Sequence, residues 1–193
     1  MGNAKKRIAI FASGSGTNAE NLIKYFKNSQ VIEIALVVCN RPKAQVLLRA
    51  KNLGVSGLVI NKLELENPTE LLKNLTFWKI NYIVLAGFLL KIPTALIQQF
   101  PQQIINIHPA LLPNFGGRGM YGGKVHEAVK ASGTTQTGIT IHLVNEVYDD
   151  GPILFQAICS VTPADTPETI AKKIHELEYT HFPTVVENLI LNT

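Results

Sequence analysis

The chain has 193 residues, 46% of them hydrophobic, which is enough to bury one sizeable core but short for two, so we expect a single domain over 1–193. Its 18 Lys and Arg against 14 Asp and Glu leave a formal net charge of +4, which is too thinly spread for nucleic acid. The excess suits a small anionic ligand, but from charge alone an ordinary soluble protein with slightly more lysine is an equally good interpretation. The sequence contains no Cys-x-x-Cys pair, and its five histidines lack the spacing of metal ligands, so we expect no metal site. No apolar run approaches the ~20 residues of a membrane span, which predicts a soluble cytoplasmic protein.

The first half of the chain alternates short apolar runs with amphipathic ones. Residues 8–12 form a continuous apolar run, as expected for a strand buried on both faces. Further strands are predicted at 32–38, 57–60 and 82–86, and helices at 19–27, 43–53 and 69–79. Repeated β-α-β units of this kind predict an α/β fold with a mostly parallel sheet, right-handed crossovers and helices on both faces.

The second half is less regular. The pattern predicts a short helix at 93–100, a strand at 104–108, a loop rich in Gly and Pro at 109–123 and a helix at 124–131. Strands at 138–144 and 153–161 are joined by a polar turn, so we expect them to pair antiparallel. The final helix begins after Thr166, a good cap, with Pro167 in its first turn. It is expected to extend towards His181 and to break at Pro183.

A glycine-rich segment, Ser13-Gly14-Ser15-Gly16-Thr17-Asn18, follows the first predicted strand and opens the first predicted helix. Glycines let backbone N–H groups approach an anion, and the amino terminus of the helix adds a favourable dipole. A dinucleotide fold would place a carboxylate at the end of the second strand, but Asn40 and Arg41 stand there. The Gly-Lys-Ser/Thr of nucleoside triphosphate loops is also missing. The segment therefore predicts a monophosphate site, with a ligand-free tight turn as the alternative.

Asn106-Ile107-His108-Pro109 stands at the carboxyl end of a predicted strand. Strand alternation puts Asn106 and His108 on the same face, at the end of the sheet where ligands bind in open α/β folds. An amide beside an imidazole can hold a developing oxyanion while the imidazole handles a proton. Alternatively, the two side chains merely cap the strand, which is the better interpretation of the triplet on its own.

Tyr148-Asp149-Asp150-Gly151-Pro152 is a polar turn between two apolar strands. Asp and Gly are common in turns, so a structural role is a strong alternative. In a functional role, a carboxylate held against His108 would raise the pKa of the imidazole and keep it protonated. Neither interpretation is preferred from this segment alone.

Taken together, four segments resemble a known family. They are S-G-x-G-[ST]-N at 13–18, L-A-G-[FY] at 85–88, N-I-H-P-[AS]-L-L-P at 106–113 and D-x-G-P at 149–152. In this order they are similar to the glycinamide ribonucleotide formyltransferases, and the resemblance runs from Arg7 to about Leu189. The third string is typical of folate-dependent formyltransferases in general, and the phosphate loop narrows the choice to the ribonucleotide enzymes.

The resemblance implies a single-domain Rossmann-like formyltransferase fold, with a phosphate-binding half at about 1–100 and a catalytic and folate-binding half at about 101–193. It implies the catalytic residues Asn106, His108 and Asp149. Asp149 is preferred to Asp150 because the family aspartate stands three positions before the residue that is Pro152 here. It further implies phosphate contacts from Gly16, Thr17 and Asn18, and a glutamate, Glu178, that holds the glycinamide end of the substrate. A solvated helix face is the alternative for Glu178.

The resemblance also implies a folate site made of a strip and a loop. The strip is Phe88, Leu89, Leu90, Lys91 and Ile92, and the loop at 140–147 includes Thr140, His142, Val144 and Glu146. For His142, a histidine whose hydrogen bonds are satisfied within its strand is an adequate alternative. The sequence departs from the family at Leu90, where an Arg is frequent, and the positive charge is displaced to Lys91. The segment 64–70 is shorter than usual, and the loop at 114–123 lacks the histidine of some members.

The activity implied is direct formyl transfer from 10-formyltetrahydrofolate, a co-substrate, to the amine of glycinamide ribonucleotide, without a metal. The implied partners are these small molecules, with no nucleic acid or membrane, and a monomer or weak homodimer is expected. Formyltetrahydrofolate hydrolases and methionyl-tRNA formyltransferases share the core but carry an additional amino- or carboxyl-terminal domain, for which we see no sequence. A nucleotide-binding module without activity would require a broken catalytic trio.

Overall fold

The structure, a computed structural model, describes residues 4–192. The strands are β1 (Lys6–Ala12), β2 (Ile32–Cys39), β3 (Ser56–Val59), β4 (Tyr82–Leu85), β5 (Ile104–His108), β6 (Gln136–Leu143) and β7 (Ile153–Ser160). The helices are α1 (Thr17–Phe26), α2 (Gln45–Asn52), α3 (Lys62–Glu66), α4 (Thr69–Phe77), α5 (Thr94–Gln99), α6 (Gly123–Ala131) and α7 (Pro167–Leu191). Each predicted element is present close to its predicted bounds, apart from the end of the last helix.

Sequence analysis missed the short helix α3. It begins with a capping box, in which the Asn61 side chain accepts a hydrogen bond from the Glu64 N–H and the Glu64 carboxylate accepts one from the Asn61 N–H. The Asn-x-x-Glu signal for such a box was present in the sequence. The helix is too short to show a period, which is why the pattern of apolar residues did not reveal it.

The strands form one sheet in the order β3-β2-β1-β4-β5-β6-β7. The pairs from β3 to β5 are parallel, whereas β6 is antiparallel to both β5 and β7. This confirms the predicted parallel sheet and the antiparallel pair, and adds a second antiparallel contact. Because the chain proceeds outwards from β1 to β3 and then returns to β4 on the other side of β1, a crevice opens at the carboxyl ends of β1 and β4.

The core lies on both faces of the sheet, as the two-sided apolar strands predicted. Ile8 and Ile10 of β1 belong to a cluster that includes side chains of α1, α2, α6 and α7. Ala9 and Phe11, which point the opposite way, belong to a second cluster with α3, α4 and α5. Each large side chain that is fully buried in this way stabilises the fold by about 1.5–3 kcal/mol. The rigid sheet between the clusters sets the positions of the loops at its carboxyl edge.

Helix α7 begins as predicted, because the Thr166 hydroxyl accepts a hydrogen bond from the Thr169 N–H. The predicted break at Pro183 is wrong, since α7 continues through it to Leu191. Proline lacks the N–H that would bond the carbonyl four residues earlier, which is that of Tyr179. The Asn21 side-chain amide donates to that carbonyl instead, at 3.0 Å. A neighbouring helix therefore supplies the missing hydrogen bond.

Among residues 4–192, no helix is both long and apolar enough to cross a membrane.

Candidate active site

A cavity of about 610 Å³ opens at the carboxyl ends of β1, β4 and β5. It is lined by the glycine-rich segment after β1, the strip after β4, the end of β5, the loop before α6 and the turn that contains Asp149. The segments singled out in the sequence therefore meet in one place. This is the position at which open α/β sheets bind their ligands.

The glycine-rich segment presents the amino terminus of α1 to the cavity. Gly16, just before the helix, has a φ of 76°, and no side chain caps the helix end. The N–H groups of the first turn, which include those of Thr17 and Asn18, therefore have no partner within the helix and lie beside the cavity. This end of the cavity suits a compact anion.

The conformation of Gly16 is required by packing as well as by its φ. A Cβ there would lie 2.7 Å from the Cα of Val46 in α2, and closer still to the Val46 side chain. A Cβ on Gly14 would meet nothing within 4 Å. Of these two glycines, Gly16 is therefore the one that the fold demands, and Gly14 is the one with open space around it.

Two side chains hold the glycine-rich segment from behind. The Ser13 hydroxyl donates to Asn40 Oδ1 at 2.6 Å and accepts from the Leu89 N–H at 2.9 Å, which ties the segment to the strip after β4. Arg49 donates to the Ser15 carbonyl at 2.9 Å and pairs with Glu20. The carbonyl is thereby directed towards α2, so the segment is fixed before any ligand arrives.

A polar cluster lies where β5 pairs with β6. The register sets Asn106 opposite His142, and the Asn106 amide nitrogen is 3.0 Å from His142 Nε2. Asp149 lies 3.6 Å from His108 Nδ1 and 3.7 Å from His142 Nε2, and it accepts a hydrogen bond from the Gly117 N–H at 2.8 Å. The structure thus brings Asn106, His108 and Asp149 together, with His142, for which a folate contact was expected, as a fourth member.

The hydrogen bonds of His108 define its proton positions. Its Nε2 is 2.8 Å from the Phe115 carbonyl, which can only accept, so Nε2 carries a proton and Nδ1 is the atom that gains or loses one. Burial lowers the pKa of His108, and the nearby Asp149 carboxylate offsets this only in part. Asp149 thus raises the pKa of His108, as expected, but the desolvation of the ring outweighs this effect, and the net shift is downwards.

Asp149 remains ionised although it is largely buried. Burial raises its pKa, but the nearby His142 ring, the charge of His108 and the hydrogen bond from the Gly117 N–H together lower it below its ordinary value. Its φ of 54° is in the left-handed region, where a non-glycine residue is strained. This backbone conformation directs Asp149 towards His108, while Asp150 is exposed and close to Asn145.

Glu178 lines the cavity beside Asn18 of α1 and is only 5% exposed, which excludes the solvated helix face considered above. Its Oε2 accepts hydrogen bonds from the Asn18 amide at 2.8 Å and from His175 Nδ1 at 2.9 Å. Sequence analysis missed His175 and the neighbouring His126. The spacing of three residues between His175 and Glu178 on one helix was the available signal, and His126 stands in no local motif.

The strip after β4 forms the apolar wall of the cavity, since all five of its predicted residues, Phe88 to Ile92, line it. His142 and Val144 face the same space. The Lys91 ammonium lies 5.7 Å from the centre of the Tyr148 ring, a cation–π contact that closes the rim.

Thr140 and Glu146, both expected in the folate loop, are not among the described residues that line the cavity. Thr140 is fully buried, its hydroxyl donating to the Ala110 carbonyl at 2.7 Å and accepting from the Leu112 N–H at 2.9 Å. It therefore holds the segment that follows His108. Within residues 4–192, no group of three or more His, Cys, Asp or Glu could hold a metal ion.

The fold and this cavity define a class of protein, and comparison agrees with it: residues 6–186 match the model of the family described as formyl transferase. The chain belongs to the formyl transferase family. Within it, the chain is 35% identical to the phosphoribosylglycinamide formyltransferase of Bacillus subtilis (strain 168), over 96% of this chain and 95% of that one. It is 40% identical to the chloroplastic phosphoribosylglycinamide formyltransferase of Arabidopsis thaliana, over 94% of this chain, but spans only 64% of that relative's length.

The solved structures agree with the predicted fold. Glycinamide ribonucleotide transformylase 1 from Geobacillus kaustophilus superposes with a TM-score of 0.88 at 33% identity, covering 97% of this chain and 100% of that one. The phosphoribosylglycinamide formyltransferase from Bacillus halodurans gives the same TM-score at 35% identity, with 96% and 95% covered.

Proposed function

We propose that this chain transfers the formyl group of 10-formyltetrahydrofolate to the amine of 5′-phosphoribosylglycinamide, giving formylglycinamide ribonucleotide and tetrahydrofolate in purine biosynthesis. The observation that carries the proposal is the continuity of the cavity. One space joins an uncapped helix amino terminus, a buried carboxylate, the Asn106–His108–Asp149 cluster and an apolar wall. These are the features that a phosphorylated amine and a pteridine would need side by side.

The ribotide is assigned to the end of the cavity at α1. The free N–H groups of Thr17 and Asn18 suit its phosphate, which is a compact dianion at the positive end of the helix dipole. Glu178 accepts from the donor groups on the rest of the molecule. With both ends of the substrate held, its amine is directed towards Asn106 and His108, and this positioning supplies part of the rate enhancement.

The folate is assigned to the strip Phe88–Ile92 and the facing residues His142 and Val144. An apolar slot with a few polar groups at its edge is the surface that a flat heterocycle requires. Lys91 at the rim is available for an anionic tail, in place of the arginine that related sequences often carry at the position of Leu90. Bound folate would supply the activated formyl group, and the protein would supply the stabilisation of the oxyanion and the transfer of the proton.

The chemistry then belongs to Asn106, His108 and Asp149. When the amine attacks the formyl carbon, the amide of Asn106 is placed to donate to the oxyanion, a contribution of ~10²–10³ in turnover for a single donor. Burial lowers the pKa of His108 and so favours its neutral form, which can accept the proton that the amine loses and return it to the folate nitrogen as the carbon–nitrogen bond breaks. The charge of Asp149 stabilises the imidazolium formed in between.

The test is a formyl-transfer assay with glycinamide ribonucleotide beside a control that contains only water as acceptor. We expect tetrahydrofolate to appear together with formylglycinamide ribonucleotide, and little of it in the control. Equal release of tetrahydrofolate and formate in the control would instead indicate a hydrolase. We further propose that the protein is cytoplasmic. We also propose that it is a monomer or weak homodimer, because one chain supplies all of the groups invoked here. Sedimentation with and without ligands would test this.

A further inference from the structure

A polar corner lies at the α1 end of the cavity, where three helices meet. It consists of Asn18 of α1, His126 of α6, and His175 and Glu178 of α7, all of which line the cavity. Glu178 is the buried centre of the corner, and its Oε2 accepts two hydrogen bonds, from Asn18 and His175. The function proposed above uses Glu178 as a substrate contact but gives no role to His175 or His126.

The two donors of the corner act on the same oxygen. Hydrogen bonds from both donors to Oε2 restrict the rotation of the Glu178 carboxylate. Its other oxygen, Oε1, has no hydrogen-bond donor among the residues that the structure describes. Two further atoms of the corner, Asn18 Oδ1 and His126 Nδ1, are buried and lack a partner within the described residues. The corner therefore presents unpartnered polar atoms to the cavity, and a ligand with several N–H or O–H groups would satisfy them.

His175 differs from the rest of the corner because it is half exposed, with 48% of its side chain accessible. The hydrogen bond to Glu178 raises the pKa of His175, whereas burial lowers the pKa of His126. The charged and titratable groups around His175 are Glu178 and Tyr179 on α7 and His126 on α6. The ring of His175 stacks on that of Tyr179, with 6.0 Å between their centres, which restricts its orientation.

From this geometry we infer that His175 is a positioning residue: it holds Glu178 so that Oε1 faces the hydroxyl and amine donors of the phosphorylated acceptor. It does not touch the reacting atoms. When it is protonated, His175 also balances the charge of Glu178, so that the corner is close to neutral beside a phosphate dianion. This inference rests on the proposed function, since it concerns the same acceptor.

The test compares His175→Leu, which removes the donor, with His175→Asn, whose amide nitrogen occupies the place of Nδ1 but does not titrate. Lys172→Leu, an exposed change three residues earlier on the same helix, is the matched control. In the formyl-transfer assay, we expect His175→Leu to raise the KM for glycinamide ribonucleotide about tenfold, with kcat and the KM for the folate little changed. His175→Asn should restore most of the loss, and Lys172→Leu should resemble the wild type.

The pH dependence separates positioning from simple packing. As pH rises through the raised pKa of His175, the corner gains a net negative charge, and the wild-type KM for the ribotide should increase. His108 and His126 titrate at lower pH, and the phosphate of the substrate titrates equally in all variants, so the difference between the wild type and His175→Asn reports His175 alone.

Three outcomes would overturn the inference: an unchanged KM in His175→Leu, equal weakening of both substrates, or the same pH profile in His175→Asn as in the wild type. The wild-type assay separates this failure from that of the proposed function. If the wild type does not formylate the ribotide, the proposed function itself fails. If it does and His175→Leu is unaffected, only the role of His175 is wrong.

Discussion

The two ends of the cavity are built in different ways. At the α1 end, the groups proposed to bind the phosphate are backbone N–H groups on the first β-α unit, a segment that Ser13 and Arg49 hold from behind. At the β5–β6 end, they are side chains from separate segments, brought together by the strand register that sets Asn106 opposite His142. A phosphate site made of backbone N–H groups depends on backbone conformation, whereas a site made of side chains is sensitive to single atoms.

This contrast has consequences for mutation. At the α1 end, substitutions should alter binding or folding and leave the chemical step intact. At the β5–β6 end, they should abolish turnover in a protein that still folds and still binds phosphate. The predictions that follow test this division, beginning with the largest expected effect.

The most sensitive test of the side-chain end compares neighbouring aspartates. Asp149→Asn removes the charge next to His108 Nδ1 and should reduce kcat by about 10³-fold, within the range for groups that assist proton transfer. Asp150→Asn, an exposed change one residue away, should stay within about twofold of the wild type. Steady-state kinetics with both substrates measures this, and circular dichroism verifies folding. If Asp150→Asn reduced kcat more than Asp149→Asn, then Asp150, and not Asp149, would be the aspartate that acts on His108.

At the backbone end, the sharpest comparison is between two glycines. Gly16→Ala introduces a Cβ against Val46 in a left-handed conformation, and should lower the free energy of unfolding by about 3 kcal/mol. At position 16, a larger side chain such as valine would therefore disrupt the fold of the loop in addition to obstructing phosphate binding. Gly14→Ala adds its methyl group to open space and should leave stability nearly unchanged. It should raise the KM for the ribotide several-fold while leaving kcat intact.

Denaturant titration of both glycine variants provides the stability measurement, and calorimetric titration with the ribotide and with a folate analogue provides the binding measurement. Equal stability of the two variants would contradict the packing argument for Gly16. Loss of folate binding in Gly14→Ala, with ribotide binding retained, would mean that the folate, and not the ribotide, binds at the α1 end.

The pH profile distinguishes a neutral His108 from the protonated one first expected. Because burial lowers the pKa of His108, protonation of the ring should require a lower pH than for an ordinary histidine. Turnover that needs a neutral imidazole should therefore be constant near neutrality and fall as the solution is acidified below the ordinary histidine pKa. Asp149→Asn removes a charge that raises this pKa, so the residual activity should fall at still lower pH. A decrease of wild-type turnover on raising the pH from 6 to 8 would contradict a neutral base.

The sequence predicted the parallel half of the fold almost completely, because each β-α unit is local and its apolar periods are distinct. It also predicted which segments meet, since carboxyl ends of parallel strands share one edge of the sheet. It could not predict the balance of burial against charge at His108, nor the place of Thr140, because both depend on packing between distant segments. His126 and His175 were missed for the same reason: their role depends on three helices meeting around Glu178.

The break wrongly predicted at Pro183 leads to the last and smallest prediction, which concerns the contact that seats α7 on α1. The Asn21 amide donates to the Tyr179 carbonyl, which Pro183 leaves without its usual helical partner, and the same two helices carry Asn18 and Glu178. Asn21→Ala should lower the free energy of unfolding by about 1 kcal/mol and raise the KM for the ribotide slightly, without affecting kcat. Pro183→Ala restores a backbone N–H for that carbonyl, so in its background Asn21→Ala should cost less.

A double-mutant cycle by denaturant titration measures this coupling between Asn21 and Pro183. Additive effects would mean that Asn21 does not replace the missing hydrogen bond, and that the continuity of α7 through Pro183 has another cause. A loss of kcat in Asn21→Ala, with an unchanged KM, would break the division between the two ends of the cavity. That result would mean that the packing of α7 against α1 affects the β5–β6 end, where we expect the side-chain cluster alone to control the rate.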